Sequence, residues 1–191
     1  YFLLYMITIK FNDNIVHTYS SFEEILKLEN YNDIIYLNCV YNQLSNLPEL
    51  PNSLIELFCG SNRLSCLPEL PKSLKYLQCS QNCLLSLPEL PNLLEYISCG
   101  YNILSILPEL PNTLEKLYCE HNKLFNLPKL PNSLEKFYCN NNILSSLPKL
   151  PNLLTDLNCG FNNLSSLPEL PHSLNILFCN ENNLTSLPRL P

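Results

Sequence analysis

Residues 112–131 read NTLEKLYCEHNKLFNLPKLP, and this twenty-residue pattern decides how the chain folds. From residue 32 to residue 191 the pattern recurs eight times without insertion or deletion. Leucine, cysteine and asparagine return at fixed positions of the unit, and all 16 prolines of the chain fall in two of its columns. A fixed short period is typical of a repeat architecture, in which each unit shields the apolar side of its neighbour.

Within the unit, the segment KLYCE at residues 116–120 alternates between outward polar or aromatic side chains and inward apolar ones. This alternation predicts a short β-strand with one buried face. The asparagine that follows, Asn122, is placed to hydrogen-bond the backbone of neighbouring units. The two prolines exclude a regular helix and favour extended or polyproline geometry. We therefore expect eight stacked parallel strands on one side of a solenoid and extended segments on the other.

The segment L-x-x-L-x-C-x-x-N-x-L resembles the core pattern of leucine-rich repeats, with Cys in place of a usual Leu. The resemblance covers residues 32–191. The short LPxLP unit is similar to the twenty-residue class found in bacterial effector proteins, and the Cys-for-Leu variant is similar to arrays in giant-virus proteins. The resemblance implies a right-handed leucine-rich-repeat solenoid of the β/α-superhelix type, with parallel strands on its concave side. It also implies a partner protein bound to that concave face.

Residues 1–31 do not follow the period, and we expect them to form a small α+β cap over the first repeat. Apolar residues alternate in 7–11 and recur in 15–19, with turn-forming residues at 12–14 between them, which predicts a hairpin. Ser20 or Ser21 with Glu23 or Glu24 matches a capping box, and a stripe of apolar residues predicts a helix that ends near Asn30. That stripe consists of Phe22, Ile25, Leu26 and Leu28. The predicted division is therefore a cap at 1–31 and eight repeats at 32–191.

Eight of the ten cysteines occupy one inward column and are predicted to be reduced core residues. Disulfides along this column would need a torsion near 90° that parallel side chains adopt poorly, and metal sites need closely paired ligands. A disulfide ladder and a metal role are the alternatives. The remaining two, Cys66 and Cys83, are predicted to be unreactive surface thiols. The column comprises Cys39, Cys59, Cys79, Cys99, Cys119, Cys139, Cys159 and Cys179.

Charge and composition disfavour several classes of function. Eleven basic and seventeen acidic residues give a net charge of −6, which opposes nucleic-acid binding. The apolar run at 1–9 is shorter than a membrane span and resembles no secretory signal. Three glycines cannot build a phosphate-binding loop, and no catalytic constellation is evident, so we predict no enzyme activity and no cofactor or metal. The abundant thiols predict an intracellular, cytoplasmic protein, in the host cytoplasm if the origin is viral or effector-like.

The outward strand residues and the turn beyond them define four columns, which run through positions 36, 38, 40 and 41 of the first repeat. Ten of the twelve aromatic residues in the repeats fall in these columns. Aromatic side chains are favoured anchors of protein interfaces. Strand propensity is the simpler explanation for the rings within strands, but it accounts less well for those beyond them. The ten are Tyr36, Tyr41, Phe58, Tyr76, Tyr96, Tyr101, Tyr118, Tyr138, Phe161 and Phe178.

We predict a protein-interaction module that binds its partner through the most aromatic part of this face, around the basic pair Lys116 and Lys136. The first alternative is the substrate-recognition half of a larger effector enzyme of the ubiquitin-ligase type, whose catalytic domain is absent from this chain. The second is an extracellular receptor fragment stapled by disulfides. The predicted partner-binding residues are Tyr76, Tyr96, Tyr101, Lys116, Tyr118, His121, Lys136, Tyr138 and Phe161.

Overall fold

A computed structural model describes residues 6–190 as one ten-stranded sheet with short connecting segments. The strands are β1 (Ile7–Lys10), β2 (Val16–Tyr19), β3 (Tyr36–Asn38), β4 (Glu56–Phe58), β5 (Tyr76–Gln78), β6 (Tyr96–Ser98), β7 (Lys116–Tyr118), β8 (Lys136–Tyr138), β9 (Asp156–Asn158) and β10 (Ile176–Phe178). They lie in the sheet in the order β10-β9-β8-β7-β6-β5-β4-β3-β1-β2. The helical elements within 6–190 are α1 (Phe22–Ile25) and a 3₁₀ turn (Tyr31–Asp33).

Strands β3 to β10 confirm the predicted solenoid. Each pairs with the next in parallel, and the register advances by one repeat, as in Leu57 opposite Leu77 and Leu117 opposite Phe137. Within the described repeats, the segments that return the chain to the next strand contain no helix, as two prolines per unit require. No helix among the described residues has the length and apolar character to span a membrane.

The leucine and cysteine columns form one continuous core through the repeats. In the third repeat, Leu74, Leu77, Cys79 and Leu84 are fully buried, and Leu87 is 9% exposed. Each fully buried leucine contributes about 1.5–3 kcal/mol of transfer free energy. Each pair of neighbouring repeats therefore buries its own set of core side chains and contributes its own share of the stability.

The ten thiols are free. Seven members of the predicted column are buried, and Cys179 in the last repeat is half-buried, so the predicted core position of the column is confirmed. Burial raises the pKa of Cys39 and of Cys159 to about 12, which keeps these thiols protonated at neutral pH. Cys66 and Cys83 are exposed, as predicted.

The asparagine column joins successive rungs through their backbones, as the sequence predicts. The Asn102 amide nitrogen donates to the carbonyls of Cys79 and Cys99, at 3.1 and 3.0 Å. Its oxygen accepts the Leu84 N–H at 2.9 Å, and its own N–H donates to the His121 carbonyl at 3.2 Å. One side chain therefore satisfies backbone groups of two repeats, while its backbone bonds to a third.

The predicted hairpin is present as β1 and β2, and β1 also pairs antiparallel with β3. Ile7, Ile9 and Ile25 are buried against the first rung. Because one sheet runs across residue 31, the division of the chain at that point stays a prediction. Residues 1–5 of the predicted cap and Pro191 of the last repeat lie outside the described residues.

The predicted helix is wrong in length, because α1 ends at Ile25 instead of near Asn30. Beyond it, Leu28 N–H bonds to the Ile25 carbonyl three residues back, so the chain tightens into 3₁₀-type turns that deliver it to β3. Leu26 is 48% exposed and not part of a buried stripe. The capping box forms only in part, since Glu24 accepts bonds from the Ser20 N–H and hydroxyl. The N-cap residue itself makes no side-chain cap bond.

Candidate functional site

Six aromatic rings run along the outward face of the strands and touch in sequence, and we call them the ring ladder. The centroids of successive rings lie 5.3, 5.0, 3.9, 5.5 and 5.1 Å apart. The Lys10 ammonium lies 4.5 Å from the centroid of the first ring, at cation–π distance. The ring ladder consists of Tyr36, Phe58, Tyr76, Tyr96, Tyr118 and Tyr138.

The rings of the ladder are half-buried because they cover one another. Tyr76 and Tyr96 stack at 3.9 Å with their planes 6° apart, so each occupies a face of the other. Burial raises the pKa of Tyr76 and of Tyr118, which keeps both phenols protonated at neutral pH. Ring contact within the protein therefore explains part of the aromatic enrichment, and the ladder forms a rigid floor.

The two predicted lysines lie beside this floor in different electrostatic settings. The Lys136 ammonium is 3.7 Å from an Asp156 carboxylate oxygen, and that carboxylate is nearly buried. Lys116, one rung before it in β7, makes no salt bridge with any of the described residues. Lys116 is therefore the lysine whose charge is available to a ligand.

Beyond the strand of each repeat, the turn places the residue equivalent to Tyr41 in the left-handed region of backbone space. Tyr101, His121 and Phe161 have φ values of 54°, 51° and 52°. Gly adopts this region freely and Asn, Asp and His are enriched there, whereas other L-residues adopt it at a cost of about 1–2 kcal/mol. In this column Asn141 and His121 belong to the enriched types, and Tyr101 and Phe161 do not. Tyr101 and Phe161 are about half exposed, and the Tyr101 and His121 rings stack at 4.1 Å.

Two acceptor atoms on the floor have no hydrogen-bond donor among the described residues. They are one carboxylate oxygen of Glu120 and the amide oxygen of Asn140 on the next rung. Gly100 makes room for the carboxylate, because a Cβ built there would lie 2.5 Å from the other Glu120 oxygen. Burial raises the pKa of Glu120 above its usual value.

The nine predicted residues thus fall into a floor group and a turn group. The floor group contains Lys116, Lys136 and four tyrosines of the ring ladder. The turn group contains Tyr101, His121 and Phe161, of which the first two touch. Among the described residues, no cluster of three or more His, Cys, Asp or Glu side chains is arranged to hold a metal ion.

Sequence reasoning missed a third group of exposed apolar residues, on the loop that follows the turn. We call this group the loop ridge, and its members are 37% to 63% exposed. A comparison of columns would have found it, because the column of Leu85 and Phe125 holds Ser or Thr in the six other repeats. The loop ridge consists of Leu85, Ile103, Ile106, Phe125 and Ile143.

The fold is similar to solved structures of bacterial proteins, whereas no protein-family model and no curated sequence matches the chain. YopM, a leucine-rich effector protein from Yersinia pestis, is 38% identical over 82% of this chain and 52% of that chain, with a TM-score of 0.71. A Shigella effector LRR domain is 32% identical over 86% of this chain and 74% of that chain, with a TM-score of 0.73. The chain thus spans about half the length of YopM.

A third similar structure is the functional domain of InlJ from Listeria monocytogenes, which includes a cysteine ladder. It is 29% identical over 83% of this chain and 37% of that chain, with a TM-score of 0.70. These structures show the same class of stacked repeats as the one built here from residues 32–190.

Proposed function

Because the chain belongs to the leucine-rich-repeat family, we propose that it is an intracellular protein-interaction module that binds one partner on its concave face and catalyses no reaction. The proposed contact residues are the floor and turn groups. The similar structures include a leucine-rich effector protein and an effector LRR domain, which supports an effector-like role in a host cytoplasm. The column of free, buried thiols supports a reducing compartment.

The observation that carries the proposal is the presence of exposed aromatic rings at strained turn positions. Folding alone would favour Gly or Asn at a left-handed φ, yet Tyr101 and Phe161 stand there and remain half exposed. Departures from local preference that bring no core burial are typical of functional sites. Aromatic side chains of this kind are common interface anchors.

The floor supports the same proposal through its rigidity and its unpaired groups. Rings already packed against one another lose little conformational freedom when a partner binds. Lys116 offers an unpaired cation beside Tyr118. The surface is broad and suits a macromolecular partner better than a small ligand.

A second candidate is the substrate-recognition half of a larger effector enzyme. It is favoured by one observation, namely that the chain covers 74% of a structure that is itself one domain of an effector. Determination of the coding sequence beyond residue 191 tests this candidate. A catalytic domain in the same reading frame would support it, and a stop codon there would contradict it.

The proposal is tested with the double variant Tyr101→Asn and Phe161→Asn. Asn adopts the left-handed conformation at a lower cost than Tyr or Phe, so we expect a stability no lower than that of wild type but loss of the partner. Affinity capture from host-cell lysate, quantified by mass spectrometry, compares the double variant with Leu153→Ser. Leu153 is 56% exposed, outside both groups, in a column that holds Ser in four other repeats. If the double variant keeps every protein that wild type and Leu153→Ser retain, the proposed face is wrong.

A further inference from the structure

The loop ridge residues lie on the corresponding loops of four neighbouring repeats. The N–H groups of Ile103, Phe125 and Ile143 each donate to a carbonyl of the preceding loop, at 3.1, 3.4 and 3.0 Å. Successive loops are therefore held at the spacing of the rungs, about 4.8 Å. The loops that carry the ridge residues consequently span roughly 15 Å along the solenoid.

The loop ridge exposes more apolar surface than its position requires. Leu85, Ile143 and Phe125 are 63%, 52% and 52% exposed, and the other two members are 37% and 49% exposed. Together they expose on the order of 400 Å² of apolar area, an amount comparable to that of the apolar patches on monomeric proteins that are often functional. Since other repeats place Ser or Asn in these columns, the fold does not need apolar residues there.

The charged residues in the loop columns of the ridge are all basic, although the whole chain carries a net charge of −6. In the loop columns that begin at positions 43–46 of the first repeat, the charged residues are Arg63 and Lys123, and none is acidic. Lys123 lies between Ile103 and Ile143 in its column and is exposed. The Arg63 guanidinium donates to the Gln43 side chain at 3.0 Å and keeps its charge. The loop columns that carry the apolar ridge therefore also contain two basic residues, one within the four repeats of the ridge and one in the repeat before them, and no carboxylate.

We propose that the loop ridge docks an amphipathic segment of the partner protein, whose apolar stripe is bordered by carboxylates that face Lys123 and Arg63. This inference rests on the proposed protein-binding function and names the chemistry of the partner. The apolar stripe supplies burial, and the carboxylates supply orientation and discrimination. A second copy of the chain fits poorly, because it would bring the same two cations together. A membrane surface fits poorly because anionic lipid binding uses clusters of about 4–8 basic residues.

The test uses two synthetic amphipathic helical peptides with the same leucine stripe, one bordered by Glu and one by Lys. Fluorescence anisotropy measures their affinity for the full chain at low salt. We expect the Glu-bordered peptide to bind at least about tenfold more tightly than the Lys-bordered one. The triple variant Leu85→Ser, Phe125→Ser and Ile143→Asn carries residues found in the same columns of other repeats, and it should lose that binding. Lys123→Glu leaves Arg63 opposite one new carboxylate and should abolish the preference, and Leu153→Ser should bind as wild type does.

Equal binding of the two peptides, or equal losses in the triple variant and Leu153→Ser, would overturn the inference. Tight binding to phosphatidylserine vesicles without binding of the Glu-bordered peptide would identify a membrane surface instead. In the lysate assay, loss of the partner with Tyr101→Asn and Phe161→Asn, but not with the triple variant, rejects the loop ridge and leaves the concave-face proposal standing. The opposite pattern rejects the proposed face and retains the loop ridge.

Discussion

The two ends of the solenoid carry the same repeat but bury it very differently. At the first rung, β1 pairs with β3, Leu37 is 1% exposed and Cys39 is fully buried. At the last rung, no strand among the described residues pairs with the outer edge of β10. There Leu187 is 53% exposed, although its equivalent one repeat earlier, Leu167, is 8% exposed.

The hydrogen-bond ladders show the same contrast. In the first repeat, the Asn42 amide reaches into the hairpin and donates to the Met6 carbonyl at 3.2 Å. In the last repeat, no asparagine among the described residues lies beyond Leu184 to accept its N–H. One repeat earlier, the Asn182 side-chain oxygen accepts the Leu164 N–H at 3.0 Å. The comparison shows that a residue of one repeat is buried and hydrogen-bonded mainly by the repeat that follows it. Its contribution to the free energy of unfolding therefore depends on that neighbour being present.

The largest expected difference between a covered and an uncovered rung is in the stability lost when the leucine of the strand is replaced by alanine. Leu117→Ala, in a rung covered on both sides, should lower the free energy of unfolding by about 2–5 kcal/mol. Leu177→Ala removes the same side chain from a half-buried site that can collapse, and it should cost about 1 kcal/mol or less. Urea denaturation followed by circular dichroism measures both variants. Equal losses would show that the last rung is covered in solution.

A smaller difference is expected in the asparagine column. Asn102→Ala leaves the buried Leu84 N–H without its acceptor and removes one of the two amide donors to the Cys79 carbonyl, at a cost of about 1–3 kcal/mol. Asn182→Ala should cost less than half as much, because water reaches the last rung and replaces the lost bonds. The same denaturation measurement applies. A loss at Asn182 as large as at Asn102 would contradict the argument from solvent access.

The smallest expected effect is on the pH dependence of stability. It compares Glu120 in a central repeat with Glu181 in the last repeat. Burial raises the pKa of Glu120, so its contribution to stability is full at acidic pH and falls as the pH rises through the raised pKa. Glu120→Gln should therefore gain stability relative to wild type as the pH goes from 4 to 7. Glu181→Gln, at an exposed position of the last repeat, is the control for the removal of one carboxylate. If the difference in stability between Glu120→Gln and wild type is the same at pH 4 and at pH 7, the argument from burial of Glu120 is wrong.

The repeat period predicts the solenoid, the cysteine core and the asparagine ladder because each depends only on which residue recurs in which column. The length of α1 is not predictable in this way. The stripe from Phe22 to Leu28 favours a longer helix, but the chain must tighten to reach β3, so tertiary connection overrides local preference.

The site is less predictable than the fold because it depends on contacts between columns. Aromatic enrichment identifies the rings, but only the parallel register shows that Phe58 and Tyr76 touch diagonally across rungs. The left-handed turn cannot be predicted from the sequence, because Tyr and Phe occupy positions where Gly or Asn would indicate a left-handed φ. The loop ridge is visible in the sequence only when each loop column is compared across all eight repeats.

The asparagine ladder also bears on how such an array can change over generations. The Asn102 side chain bonds to backbone groups 2, 3, 18 and 23 residues away, and Asn62 and Asn162 repeat these separations. Recombination that adds or removes one whole twenty-residue unit leaves an equivalent partner at every one of these offsets. An insertion of a single codon within a strand shifts one rung against its neighbours and breaks the bonds on both sides. Genes of this architecture are therefore free to vary in multiples of the unit while the spacing inside each unit stays fixed.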